Sequence, residues 1–211
     1  MRRLFHILIV LAVAVAFFWL LPPFRVVRTN RGTEHRPPGT FNAAEFVERF
    51  WTNQLLPAVP RAVAADELVA LLRTDPAAAR QKFGRSLGLS QTCNFFLRGT
   101  GTVVSASDTE VLLTVTPSAT APEVALQAGL IFGNAVRDGT GLIDVNDYPN
   151  SQDFNAISAE LNRLIEQRVV PQLRAGAKPG ARIRFAGCAE LGSDAVNLFP
   201  LRVVPVFVEI E

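Results

Sequence analysis

The distribution of apolar and polar positions divides the chain into three regimes. From Leu4 to Leu21 the only polar side chain is His6, with Arg2 and Arg3 ahead of the run and Pro22-Pro23 closing it. At about 1.5 Å per residue such a run spans roughly 27 Å, near the thickness of bilayer hydrocarbon. It predicts a transmembrane helix within residues 1–24. A cleavable export signal is the competing reading, because Ala12-Val13-Ala14 and Ala14-Val15-Ala16 fit the small-x-small cleavage pattern. Arginines stand on both sides of the run, so the positive-inside rule casts no vote. A short basic N-terminus before a first apolar run is nonetheless the export pattern, and it places the body outside the cytosol. Residues 25–40 are basic, carry Pro37, Pro38 and Gly39, and show no apolar period; they read as a tether.

Helical punctuation governs the next stretch, 41–92, which reads as a helical extension. Asn42 with Glu45 makes a capping-box-like start, and Phe46, Val47, Phe50, Trp51 and Leu55 form one stripe that Pro57 is expected to end. Asp66 is placed as the cap of a second helix carrying Leu68, Val69, Leu71 and Leu72. Asp75-Pro76 opens a third, short and Ala-rich, with Gly84 as its stop.

After Gly84 the period changes from helical to alternating. Phe95 to Ala106, Glu110 to Thr116 and Glu123 to Gly129 are predicted strands, the first two joined by a turn at Ser107-Asp108-Thr109. Leu130 to Tyr148 shows no period. Asn150 or Ser151 then caps a long helix in which Phe154, Ile157, Leu161, Leu164 and Ile165 share a face up to about Pro171. Ala181 to Leu191 and Leu201 to Ile210 are the last two strands, and Pro205 marks the second as an edge or a bulge. Three strands, a helix and two strands is the order of the OB barrel. The expected fold is therefore α+β: a small OB-like five-stranded β-barrel over 93–211 with a long helix between strands 3 and 4, plus the helical extension and the transmembrane helix. A generic α+β sheet is the alternative.

Composition narrows the functional classes. With 21 basic against 19 acidic residues, no net positive field collects phosphates, and nucleic acid is not an expected partner. Both histidines, His6 and His35, precede the folded part, so no imidazole is available there as a general base. Gly99-Thr100-Gly101 looks like the start of a phosphate loop but lacks a third glycine and a following helix. No enzyme activity, cofactor or metal site is expected. Cys93 and Cys188 are a candidate disulfide in an oxidising compartment, worth about 4.7 kcal/mol for a loop of about 100 residues, or else two small buried hydrophobes.

The densest polar stretch runs from Arg137-Asp138 through Asp144, Asn146 and Asp147 to Asn150, Gln152 and Asp153. Carboxylates and amides ahead of a helix N-terminus are suited to holding a polar ligand or a cation. The same residues serve equally well as caps and turn formers, with Arg137 paired to a carboxylate.

Phe41 to Val59, Gly99 to Val104, Leu126-Gln127, Gly133 to Asp138 and Val145 to Leu161 together resemble the predicted periplasmic lipoproteins, a family of unknown function. The resemblance implies an extracytoplasmic, membrane-bound protein of a family often encoded beside sugar-type ABC transporters, and no established activity. Family members commonly carry a lipidated cysteine after the export signal; none occurs here before Cys93, so the apolar run is expected to supply attachment. The family's recurring polar segment maps onto Arg137, Asp138, Asn146, Asp147 and Gln152. The expected function is a non-catalytic accessory protein of the inner membrane, single-pass, facing the periplasm. Its expected partners are the membrane itself, components of the ABC transporter or its solute-binding protein. The alternative is a domain that binds a sugar or an ion through the barrel mouth and the Arg137–Asp147 cluster.

Overall fold

In the computed structural model, residues 41–87, 92–148, 150–192 and 197–211 are described. Phe41–Glu211 forms one compact unit. Asn42 Oδ1 accepts the Glu45 amide at 3.3 Å and opens α1 (Ala43–Phe50). The helical path does not end at Pro57. It widens into a π-helical stretch, Trp51–Leu55, and returns to α geometry over Leu56–Ala58. The physical reason is local. Proline has no amide hydrogen, and its ring crowds the carbonyl four residues back, so the wider turn accommodates it while Trp51, Leu55 and Ala58 stay buried. A two-residue strand β1 (Val63–Ala64) leads directly into α2 (Ala65–Thr74), whose N-cap is Ala64; Asp66 lies inside its first turn. Asp75 accepts the Ala78 amide at 2.9 Å and caps α3 (Pro76–Phe83).

The sheet comprises β1 with β2 (Cys93–Ala106), β3 (Glu110–Thr114), β4 (Val124–Gln127), β5 (Arg182–Leu191) and β6 (Leu201–Ile210). Its order is β1-β2-β3-β4-β6-β5, and β2 pairs with β5 to close the ring. Closure works because β2 is long. Cys93 to Thr102 runs antiparallel to β5, while Thr102 to Ala106 turns onto β3 past an irregularity at Val103–Ser105. β4 and β6 run parallel, the rest of the ring antiparallel. Alternate residues face inward: Phe95, Leu97, Leu113, Val124, Leu126, Leu201, Val203 and Phe185 are almost wholly excluded from solvent. Pro205 sits at a bulge opposite Gly187, inside the sheet and not at its edge. Only glycine fits at Gly187, since a Cβ there would come within 2.3 Å of the Val204 carbonyl oxygen.

Between β4 and β5 lie α4 (Ala135–Gly139), the long α5 (Ser151–Arg168) and α6 (Val170–Gly176). Asn150 caps α5 by accepting the Asp153 amide at 2.8 Å, and Asn150 Nδ2 donates to the Asp153 carboxylate at 2.9 Å. Ile157, Leu161, Leu164 and Ile165 on α5 join the barrel core. Arg168 ties α5 to Glu48 of α1 at 2.7 Å.

Three further expectations are corrected. Among the described residues the strands number six, the added one being β1, which bridges the helical extension to β2 at Leu97 and Arg98. The transmembrane helix is not supported: no helix among the described residues is long and apolar enough to cross a membrane, and the run from Leu4 to Leu21, like the tether, lies outside those residues. The candidate disulfide is absent, since Cys93 and Cys188 are both free and buried. Register explains it. Cys93 pairs with Leu191 and Cys188 with Phe96, so the two cysteines are three positions out of register and on opposite faces of the sheet. At about 3.4 Å per residue that offset alone is roughly 10 Å, beyond the reach of an S–S bond.

Burial pushes the Cys188 thiol far above its ordinary 9.0, and burial also raises Cys93, with Arg80, the Arg85 backbone and Ser86 pulling the other way. Both thiols should therefore react slowly with iodoacetamide at pH 8 until denaturant is added. Because the folded pKa values are raised, this contribution to stability is complete below about pH 9 and is lost as pH climbs past it. Electrophoretic mobility that changes on reduction, or rapid native alkylation, would contradict these placements.

Candidate functional site

The polar stretch singled out by the sequence divides into an internal part and an exposed part. Arg137, on α4, is only 4% exposed, and its neighbours consume it. Its Nε donates to Asp138 Oδ1 at 2.6 Å and Nη2 to Asp138 Oδ2 at 3.1 Å, a bidentate pair. Nη1 donates to the Phe154 carbonyl at 3.3 Å and to Asn155 Oδ1 at 3.2 Å. The guanidinium also lies 3.7 Å above the Phe154 ring centroid. Every face of the group is used to fasten α4 to the start of α5.

Asn146 is exposed and bonds back to its own loop. Its amide and its Nδ2 both donate to Asp144 Oδ1, at 2.9 and 2.8 Å, which caps a short 3₁₀ turn at Val145–Asp147. Asp147 and Gln152 are exposed. Tyr148 packs edge-on to Phe41 and Phe46 and beside Phe154, and burial, then the Asp147 charge, raises its phenol pKa. Arg137 and Asp138 thus face the interior while Asp147 and Gln152 face solvent, so the five residues do not converge on one ligand position. Among the described residues, no group of three or more His, Cys, Asp or Glu side chains is placed to hold a metal ion.

Two other places carry more organisation than the sequence suggested. Glu123, immediately before β4, is completely buried. It accepts the Val115 and Thr116 amides at 2.8 Å each and the Thr116 hydroxyl at 2.8 Å, and it pairs with Arg73 at 3.0 Å. Arg73 in turn lies 5.0 Å above the Phe199 ring. This carboxylate fixes the bend after β3 and joins it to α2.

The second place is the loop between β4 and α4. Its middle residue, Ile131, is buried, while Leu130 and Phe132 are 72% and 76% exposed. The Ile131 amide donates to Glu166 at 2.7 Å, and Asn162 Nδ2 donates to the Gly133 carbonyl at 3.0 Å. Both anchors come from α5. Gly133, at φ 87°, turns the chain in the left-handed region that glycine tolerates. The loop is therefore held by the scaffold with two large apolar side chains facing solvent. The signal was present in the sequence as Gly129-Leu-Ile-Phe-Gly133, an apolar tripeptide set in a turn, where alternation can bury only one residue of three.

Residues 12–209 match the model of a family described as "Predicted periplasmic lipoprotein", domain-of-unknown-function family 2291. No curated protein matches the chain. Among solved structures, the chain is similar to the crystal structure of an OB-fold protein from Thermotoga maritima. Identity is 26%, the TM-score 0.73, and the match covers 82% of this chain and 99% of the other.

Proposed function

The chain belongs to the predicted periplasmic lipoprotein family, and on that premise we propose that its folded unit is a non-catalytic accessory domain that works by holding a protein partner in the periplasm. The partner is a component of a sugar-type ABC transport system or its solute-binding protein. The observation that carries the proposal is the loop that presents Leu130 and Phe132. Burying a Leu or Phe side chain is worth about 1.5–3 kcal/mol, and soluble surfaces seldom hold two such groups rigidly side by side without a use for them. The Glu166 and Asn162 anchors order the loop in advance, so little conformational entropy is lost when a partner closes over it. Aromatic anchors of this kind dominate the energetics of protein interfaces. The internal use of Arg137 and Asp138 favours this surface over the polar cluster as the contact point.

A photo-crosslinking amino acid placed at Phe132 in the full-length chain, expressed in its own cells, tests the proposal. Adducts with a transporter subunit or solute-binding protein are expected at this position and not at exposed Val104 on β2. Adducts of equal yield at both positions, or none at Phe132, would contradict it.

A further inference from the structure

We infer that the groove between the helical extension and the outer face of the barrel is a binding site for a small organic monoanion with an apolar body, such as an aryl-alkyl carboxylate. It is distinct from the Phe132 surface and does not depend on it. The groove has a volume of about 640 Å³, within the range of pockets that enclose small ligands. One wall is Leu56, Val59 and Pro60, the end of the first helical run. The other is the sheet, through Arg98, Thr100 and Phe207.

Beside the groove, the start of α2 packs directly on β2 because Gly99 has no side chain. A Cβ there would come within 2.8 Å of the Ala65 Cβ, at the first residue of α2. The lining is mostly apolar, with a few polar groups set into it, the composition that binds an amphiphile by its body and orients it by its head.

Arg98 supplies the head site. Across the ladder its neighbours are Ala64 on β1 and Ala186 on β5, so neither adjacent strand offers its guanidinium an acceptor. Among the described residues, no carboxylate pairs with it and no hydrogen bond to its side chain is formed. The other charges at the groove are disposed differently. Arg184, opposite Thr100 on β5, is paired to Glu209. It also lies 5.7 Å from the Phe207 ring centroid. Asp66 lines the same groove from the first turn of α2 without reaching Arg98.

Arg98 is exposed and, unlike Arg184, has no carboxylate partner among the described residues, so it is placed to take one anionic group. A polyanion would be repelled by Asp66. A neutral ligand covering Arg98 would displace its water without supplying an acceptor in return. A carboxylate matches the guanidinium bidentately, and the half-buried Phe207 ring offers a flat apolar surface to the ligand's body.

The test is isothermal titration of the full-length chain with 4-phenylbutyrate and with its neutral isostere, 4-phenylbutyramide. The carboxylate is expected to bind saturably at one site and at least tenfold more tightly than the amide. Arg98→Gln is expected to remove that preference, weakening the carboxylate at least tenfold and leaving the amide unchanged. Arg202→Gln, at an exposed arginine elsewhere on the barrel, is expected to bind both as the unsubstituted chain does. Absence of saturable carboxylate binding, equal affinity for acid and amide, or an equal loss on Arg202→Gln would overturn the assignment. The acid–amide comparison is made on the unsubstituted protein, so it stands whatever the variants do to stability.

Discussion

Replacing Glu123 with alanine is expected to lower the stability of the folded unit by about 3–5 kcal/mol, the cost of breaking a buried charge network from one side. The carboxylate satisfies two backbone amides and a hydroxyl that would otherwise be left without an acceptor at the bend after β3. Its ion pair is the smaller part of the effect. Arg73 is 46% exposed, so solvent screens the attraction, and Arg73→Ala should cost no more than about 1 kcal/mol. Glu123→Gln should fall between the two, since a carbonyl at the Oε2 position still accepts from both amides while the NH₂ at the Oε1 position faces the Thr116 hydroxyl and the Arg73 guanidinium. Urea denaturation followed by circular dichroism would measure all three, with the midpoint moving and the slope constant. Equal losses for Glu123→Ala and Arg73→Ala would mean that the ion pair, not the loop amides, carries the stability.

The second large effect is expected at Arg137. Arg137→Ala should cost about 3–5 kcal/mol, because it leaves the Asp138 carboxylate without its bidentate partner and strips the face of Phe154. The double variant Arg137→Met with Asp138→Ala should be markedly less damaged than Arg137→Met alone. Removing both charges takes away the uncompensated one, and methionine keeps apolar contact with the Phe154 ring. A double-mutant cycle on thermal unfolding measures the coupling. Additive losses would contradict the internal role assigned to the pair. So would a stable Arg137→Ala variant that loses partner capture.

Much of this architecture was legible because local chemistry announces it. Asn42, Asp75 and Asn150 cap the helices they precede, and the alternation in β2, β5 and β6 gives the inward face. What stayed hidden depends on pairing across the fold. That Cys93 and Cys188 face opposite sides follows only from the β2–β5 register, which no spacing along the chain encodes. The π-helical stretch at Trp51–Leu55 is a negotiated outcome between a proline that cannot donate and apolar residues that must stay buried. β1 has two residues, too few to show a period, and α4 has five.

The candidate site divides the same way. Asp144, Asn146 and Asn150 act within a few residues of themselves, so their turn and cap roles could be read directly. Arg137 could be read as a carboxylate partner, but its place under Phe154 depends on how α4 meets α5. Glu123 gave no signal, as its partners lie on the preceding loop and on α2. Arg98 became notable only once the ladder set alanines on both sides of it.

The most direct measurement sets the two surfaces against each other in the full-length chain: capture of membrane partners by Leu130→Ser/Phe132→Ser and by Asp147→Ala/Gln152→Ala. All four side chains are exposed, so neither pair should disturb folding, and matching melting curves would verify it. The predicted result is loss of capture in the first variant and capture at the unsubstituted level in the second. Retained capture without Leu130 and Phe132, with loss on removing Asp147 and Gln152, would contradict the account and return the contact to the polar cluster.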